Sequence, residues 1–188
     1  KRDNLIIPTV KEAMEQIVQD GITELIVQPT HILDGIENNI MKEDVLSYKK
    51  EFQSIVFGAP LLSSEKDSQA IIHAISEEFP DFASEDALVL MGHGTAHHVN
   101  VVYSNLNKAF KSMGYPNFFL GTVEAEPTVQ DLVTEVEEFQ PDKIVLTPFM
   151  IVAGDHAHND MAGTEPDSWL HQFRQMNKNV CPVLKGLG

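Results

Sequence analysis

The sequence predicts an α/β protein made of two similar three-layer α/β/α halves with parallel sheets, residues 1–85 and 86–188. Two observations predict it. Short apolar runs alternate with amphipathic helical stretches along the chain, which is the pattern of βαβ units and a parallel sheet. A single gapless offset of 119 residues also relates the halves: Pro8-Thr9-Val10 recurs as Pro127-Thr128-Val129, Glu24 to Pro29 as Lys143 to Pro148, and Ile32-Leu33-Asp34-Gly35 as Ile151-Val152-Ala153-Gly154. A repeat of this kind marks a repeated structural unit.

The elements follow in order. Val10, Ala13, Met14, Ile17 and Val18 fall on the i, i+3, i+4, i+7, i+8 stripe of a helix. Pro8 suits a first helical turn and Gly21 the end of the helix. Ile22 to Gln28 reads as a buried strand, followed by a helix over 36–50 and a strand over 54–58. Ser64 opens a helix whose apolar face is Ala70, Ile71, Ala74, Ile75 and Phe79. The second half reads as strand 87–91, helix 99–113 stopping at Gly114, strand 118–123, the repeated helix and strand 143–149, a helix near 167–176 and a strand near 181–184. The halves join between Asp81 and Asp86. Two strands precede the repeated helix in the second half, against seven residues in the first, so the first half is expected to be incomplete within these residues.

Composition narrows the function. The net charge is -15, divided -9 and -6 between the halves, which disfavours nucleic acid and anionic membrane surfaces. No apolar run approaches the roughly 18 residues of a membrane span. The one cysteine, Cys181, suits a reducing cytoplasm and reads as a small buried strand residue. A homo-oligomer is compatible with all of this. The chain opens Lys1-Arg2-Asp3, so a leader removed upstream is also compatible.

In parallel sheets, ligands bind beyond the carboxyl ends of the strands. There the second half carries His93 in Gly92-His93-Gly94, then Glu124, then His156 after Gly154-Asp155. If their strands are neighbours, two imidazoles and a carboxylate converge, a set suited to cobalt, nickel, iron or zinc that leaves positions open for water or substrate. The flanking glycines let the backbone bend tightly at His93, and Asp155, Asn159 and Asp160 are candidates to orient a ring nitrogen. At this level a zinc hydrolase or a metal-binding protein fits equally well. His97, His98, His158 and His31 are secondary candidates, His73 and His171 read as structural, and Glu126 as a solvated acid. Met150, Ile151 and Val152 offer an apolar wall to a flat ligand.

Met91-Gly92-His93-Gly94 with His97-His98, Gly121-Thr122-Val123-Glu124, and above all Pro148 to His156 with Asn159-Asp160-Met161-Ala162 resemble the signatures of the anaerobic sirohydrochlorin cobaltochelatases, class II tetrapyrrole chelatases. Asp167-Ser168-Trp169 and Gly186-Leu187-Gly188 match as well. The resemblance implies two α/β halves around a cleft. It implies ATP-independent insertion of Co2+ into sirohydrochlorin, or its close precursor, for cobalamin made without early oxygen. It assigns metal binding and catalysis to His93, Glu124 and His156 and implies no organic cofactor. Fe2+, Ni2+ or Zn2+ fit the same donor set, so a sibling chelatase, or a carrier of metal or haem without catalysis, remains the alternative. The family's opening strand with its Gly/Ser/Thr turn, and its final helix, fall outside residues 1–188. One tension concerns charge: the macrocycle carries many carboxylates, yet between 91 and 164 the chain offers only Lys108, Lys111 and Lys143 as cations.

Overall fold

The central strand β3 (Ala87–Gly92) is buried at every residue, and so is β4 (Phe118–Thr122); β5 (Lys143–Pro148) is buried after its first residue. Such uninterrupted apolar runs belong to parallel strands covered on both faces. A computed structural model describes residues 7–80, 82–176 and 178–188; Asp81, where the sequence places the start of the inter-half joint, and the opening Lys1-Arg2-Asp3 lie outside the described residues. With β6 (Asn179–Pro182) these strands form a parallel sheet in the order β4-β3-β5-β6.

Helices cover both faces of this sheet. Side chains of Val89, Met91, Phe119, Ile144 and Leu146 pack with Leu132 and Val136 of α5 (Val129–Phe139) and with Trp169 and Phe173 of α6 (Trp169–Arg174). Alternate strand residues point the other way. On that face a β-carbon at Gly92 would meet the Tyr103 ring of α4 (Val101–Ser112), and Leu90 lines a groove together with Ile71 and Ile75 of α3 (Glu65–Glu78). The buried face of α3 is Ile72 and Ile75, not the stripe centred on Ala70 and Ala74, which are exposed. Two apolar stripes on one helix shift the phase of the pattern: one, with Ile72, is buried, and the other, with Ile71, Ala74 and Phe79, lines a groove of about 420 Å³.

The edge of β4 is sealed by α4. Asn107 Oδ1 accepts from the Leu120 N–H at 2.9 Å, and Lys111 Nζ donates to the carbonyls of Pro116 and Phe118 at 2.8 and 2.7 Å. The ammonium also lies 3.4 Å from the centroid of the Phe119 ring. Edge-strand groups that would otherwise template pairing with another chain are thereby satisfied.

The chain divides into two compact units at Ser63/Ser64, not at 85/86, because α3 packs against α4 and so belongs with the second sheet. The first unit holds α1 (Val10–Gln19), β1 (Glu24–Val27), α2 (Ile36–Leu46) and β2 (Ser54–Phe57), with β1 and β2 parallel and α1 packed on α2. Met14, Leu33, Val45 and Leu62 are buried in this unit. The strand expected to be buried is half exposed: Ile26 and Val56 point outward at 79% and 55% exposure, on a face that no described helix of this unit covers.

The 119-residue offset has a structural basis in hydrogen bonds. Thr9 and Thr128 are the N-caps of α1 and α5, each in a reciprocal capping box, with Glu12 and Asp131. Pro8 therefore precedes the cap instead of sitting in the first turn. Likewise the Gly35 carbonyl accepts from the Asn39 N–H and the Gly154 carbonyl from the His158 N–H, both at 3.1 Å, so each glycine starts the helical turn that follows its strand. Cys181 is half-buried, on β6, the last strand of the sheet among the described residues.

Candidate metal centre

The chain leaves β3 for β4 on one side and returns to β5 on the other, so the connections diverge at the carboxyl end of β3. Ligand sites of open α/β sheets form at such a switch point. His93 follows β3, Glu124 follows β4 by two residues, and His156 lies in the helical turn beyond β5. The strands carrying the three groups are immediate neighbours, with β3 in the middle.

Backbone bonds extend this order past the strand ends. Val123 N–H donates to the Gly92 carbonyl at 3.0 Å, Glu124 N–H to the His93 carbonyl at 2.9 Å, and Phe149 N–H to the Met91 carbonyl at 2.7 Å. Gly94 then turns the chain with φ of +87°, and a β-carbon there would lie 2.9 Å from Thr122 and 3.0 Å from the Ala125 nitrogen. Only glycine allows this approach of the two loops. Gly92 does not share the special backbone conformation; its constraint is the Tyr103 ring, 2.6 Å from where a β-carbon would sit.

One ligand atom from each of His93, Glu124 and His156 falls within 4.8 Å of the others, and among the described residues this is the group of side chains arranged to hold a metal ion. His93 Nε2 lies 3.8 Å from Glu124 Oε1, and the two imidazole rings meet edge to face with centroids 4.7 Å apart at 88°. Two atoms bound to one ion at about 2.1 Å each are at most about 4.2 Å apart. The His93–Glu124 pair already meets this limit, and exposure of 42%, 53% and 36% leaves the three side chains room to adjust around an ion.

The ring nitrogens are already assigned by their partners. His93 Nδ1 is 2.8 Å from the Gly94 carbonyl, and His156 Nδ1 is 2.7 Å from Asp160 Oδ2. A carbonyl or carboxylate oxygen only accepts, so each Nδ1 donates, and in the neutral ring each Nε2 keeps its lone pair for a metal. Of the three residues foreseen as orienting groups, Asp160 makes this contact; Asp155 and Asn159 are exposed. Asp160 reaches its partner from the π-helical turn Ala157–Met161, a rare element that is frequent at functional sites.

The sequence pattern of the family described as cobalt chelatase (CbiK) matches residues 1–188. The chain belongs to the CbiK cobalt chelatase family. It is similar to the sirohydrochlorin cobaltochelatase of Salmonella typhimurium, 32% identical over 188 residues, all of this chain and 71% of that protein. It is also similar to the sirohydrochlorin cobaltochelatase CbiKC of Nitratidesulfovibrio vulgaris, 30% identical over 181 residues, 95% of this chain and 64% of that protein. Among solved structures it resembles SirB from Bacillus subtilis with Fe3+, with a TM-score of 0.61 and 20% identity over 98% of this chain and 73% of that one, a likeness of fold.

In this chelatase the remaining candidates separate. The His97 and His98 rings lie tilted at 41° to each other with centroids 4.1 Å apart, and neither is part of the three-residue cluster. His97 serves its own turn, accepting from Val99 N–H. His158 Nδ1 donates back to the Gly154 carbonyl and is exposed. His31 lies 3.3 Å from Asn38 Oδ1 in the first unit, where buried Asn38 also bonds Asp34. His73 and His171 are exposed helical residues, and Glu126 is exposed. Of the three cations that the sequence offers between 91 and 164, Lys111 is committed to the β4 edge, and Lys143 opens β5, at the opposite end of that strand from the His93–Glu124–His156 cluster.

One residue had no signal in the sequence. Asn100 accepts from Thr95 N–H at 3.0 Å and donates to the Glu126 carbonyl at 2.6 Å, tying the His93 loop to the Glu124 loop. Nothing about an Asn at the start of a helix announces a partner 26 residues away. No helix among the described residues is long and apolar enough to cross a membrane.

Proposed function

We propose that this chain inserts Co2+ into sirohydrochlorin, or its close precursor, and that His93, Glu124 and His156 receive the ion before transfer. The observation that carries the reading is the convergence of two imidazoles and one carboxylate within 4.8 Å at the switch point of the sheet, in a chain of the cobalt chelatase family. The names of the two curated relatives supply the macrocycle and favour cobalt.

The chemistry exchanges one dication for two protons. Two pyrrole N–H bonds break, the macrocycle becomes a dianion, and the metal's bonds to the protein are replaced by bonds to pyrrole nitrogens. A neutral imidazole, ordinarily titrating near pH 6.5, accepts a proton readily under these conditions. His93 is the base in this reading, and Glu124 holds the dication electrostatically or takes the second proton. Exposed Val152, with half-buried Ile151 beside it beyond β5, gives the flat macrocycle an apolar surface.

The test is spectrophotometric. Protein is mixed with sirohydrochlorin and Co2+, and the macrocycle absorbance is followed over time. Turnover beyond one equivalent supports the enzyme; a static shift of one equivalent sinks catalysis and leaves a binder. Repeating the assay with Fe2+ and Ni2+ ranks the metals, which the donor set alone does not. Full insertion by His93→Ala would remove that residue from the mechanism.

A further inference from the structure

The two imidazoles of the centre are held by unlike partners. His93 Nδ1 donates to a neutral backbone carbonyl, that of Gly94. His156 Nδ1 donates to the carboxylate of Asp160, one helical turn on. A carboxylate behind an imidazole fixes the ring and strengthens the far nitrogen as an electron donor to a metal, and loss of such a partner commonly costs about 10–100-fold in metal affinity. Such an inequality lets a protein keep hold of an ion through one ligand while another gives up its bond.

Resting on the reading of His93, Glu124 and His156 as the metal centre, we propose that Asp160 is a positioning residue that makes His156 the retained ligand and leaves His93 the ligand that lets go first. Release frees His93 Nε2, whose lone pair then accepts a pyrrole proton. One side chain thus gives up the metal and becomes the base, while the other holds the ion in place. Glu124 supports either stage: its Oε1 is 3.8 Å from His93 Nε2, close enough to share the ion and then face the protonated ring.

The experiment uses Co2+ alone, followed by its visible absorption on binding, together with nitrogen-15 NMR of the imidazoles in metal-free protein. The wild type should show both rings with protonated Nδ1 and bare Nε2. Asp160→Ala should leave His93 unchanged, release His156 from its single tautomer and weaken Co2+ binding about 10–100-fold. His156→Gln should weaken Co2+ binding more than His93→Gln. Wild-type Co2+ affinity and an unchanged His156 tautomer in Asp160→Ala would overturn the proposal, as would a greater loss from His93→Gln. If Asp160→Ala fails to fold, Asp160→Asn decides: it keeps an accepting oxygen without the charge, and Co2+ affinity equal to wild type would overturn the proposal. A wild-type protein in which Co2+ perturbs neither His93 nor His156 sinks the metal-centre reading itself, a distinct outcome from failure of the Asp160 variants alone.

Discussion

The backbone N–H of Glu124 donates to the carbonyl of His93 at 2.9 Å, so two residues 31 positions apart are joined through their main chains. The separation of carboxylate and imidazole is set by sheet register more than by flexible side chains. Whatever disturbs the meeting of these two loops should disturb the centre.

Gly94 is the most sensitive point of that meeting. Gly94→Ala places a carbon 2.9 Å from Thr122 at a φ of +87°. It should destabilise the protein by about 1–3 kcal/mol and lower Co2+ affinity. Gly154→Ala, which meets nothing within 4 Å, should stay within about 0.5 kcal/mol of wild type. Chemical denaturation and Co2+ titration of both variants check this; equal stabilities would contradict it.

The capping boxes carry a pH signature. Thr128 donates to Asp131 through both its N–H and its hydroxyl, at 2.7 and 2.8 Å, and these bonds hold the Asp131 carboxyl below its ordinary value. A carboxyl lowered in the folded state contributes stability above its unfolded value and loses it as pH falls through the folded one. Thr128→Ala should cost about 1 kcal/mol near neutral pH. The gap between wild type and Asp131→Asn should narrow in acid. Thermal melts across that range measure it, and a gap independent of pH would exclude the box as its source. Thr9 and Glu12 predict the same behaviour for α1.

Lys111 should titrate in the alkaline range. Burial pulls its ammonium down from 10.5 to about 8, opposed by Glu135. Between these values the unfolded chain binds more protons than the folded one, so this group adds stability as pH rises from about 8 to 10.5 and withdraws it on return. Lys111→Met should abolish that slope and, by orphaning the carbonyls of Pro116 and Phe118, lower stability by about 1–3 kcal/mol. Denaturation at a series of alkaline pH values checks both effects.

Charge should act in opposite senses on the two substrates. A chain with a net charge of -15 attracts a dication and repels a macrocycle rich in carboxylates. Added salt screens both. The KM for sirohydrochlorin should fall and the Kd for Co2+ should rise with ionic strength; parallel changes would mean that local contacts, not the overall field, govern binding.

Much of this was legible in the sequence because it is local. The helical stripe of Val10 to Val18, the strand run of Ala87 to Met91 and the repeated Pro-Thr-Val each depend on neighbours a few residues away, and the repeat corresponds to matching capping boxes. The errors arose where a residue's surroundings come from elsewhere. The buried stripe of α3 was misphased because both of its apolar faces are used, and Ile26 was expected inside although β1 has a single described neighbour. Cys181 was read as buried, yet it lies half-exposed on β6, the last strand of the sheet among the described residues.

By itself the sequence determined which side chains follow which strands, since apolar period and turn residues set strand ends: His93, Glu124 and His156 were already at carboxyl ends. Only the tertiary structure decided that β3 lies between β4 and β5, which brings those three ends together. It also set Asp160 against the His156 ring and committed Lys111 to a sheet edge. Strand order and side-chain partners depend on long-range packing, and no local pattern of residues encodes them alone.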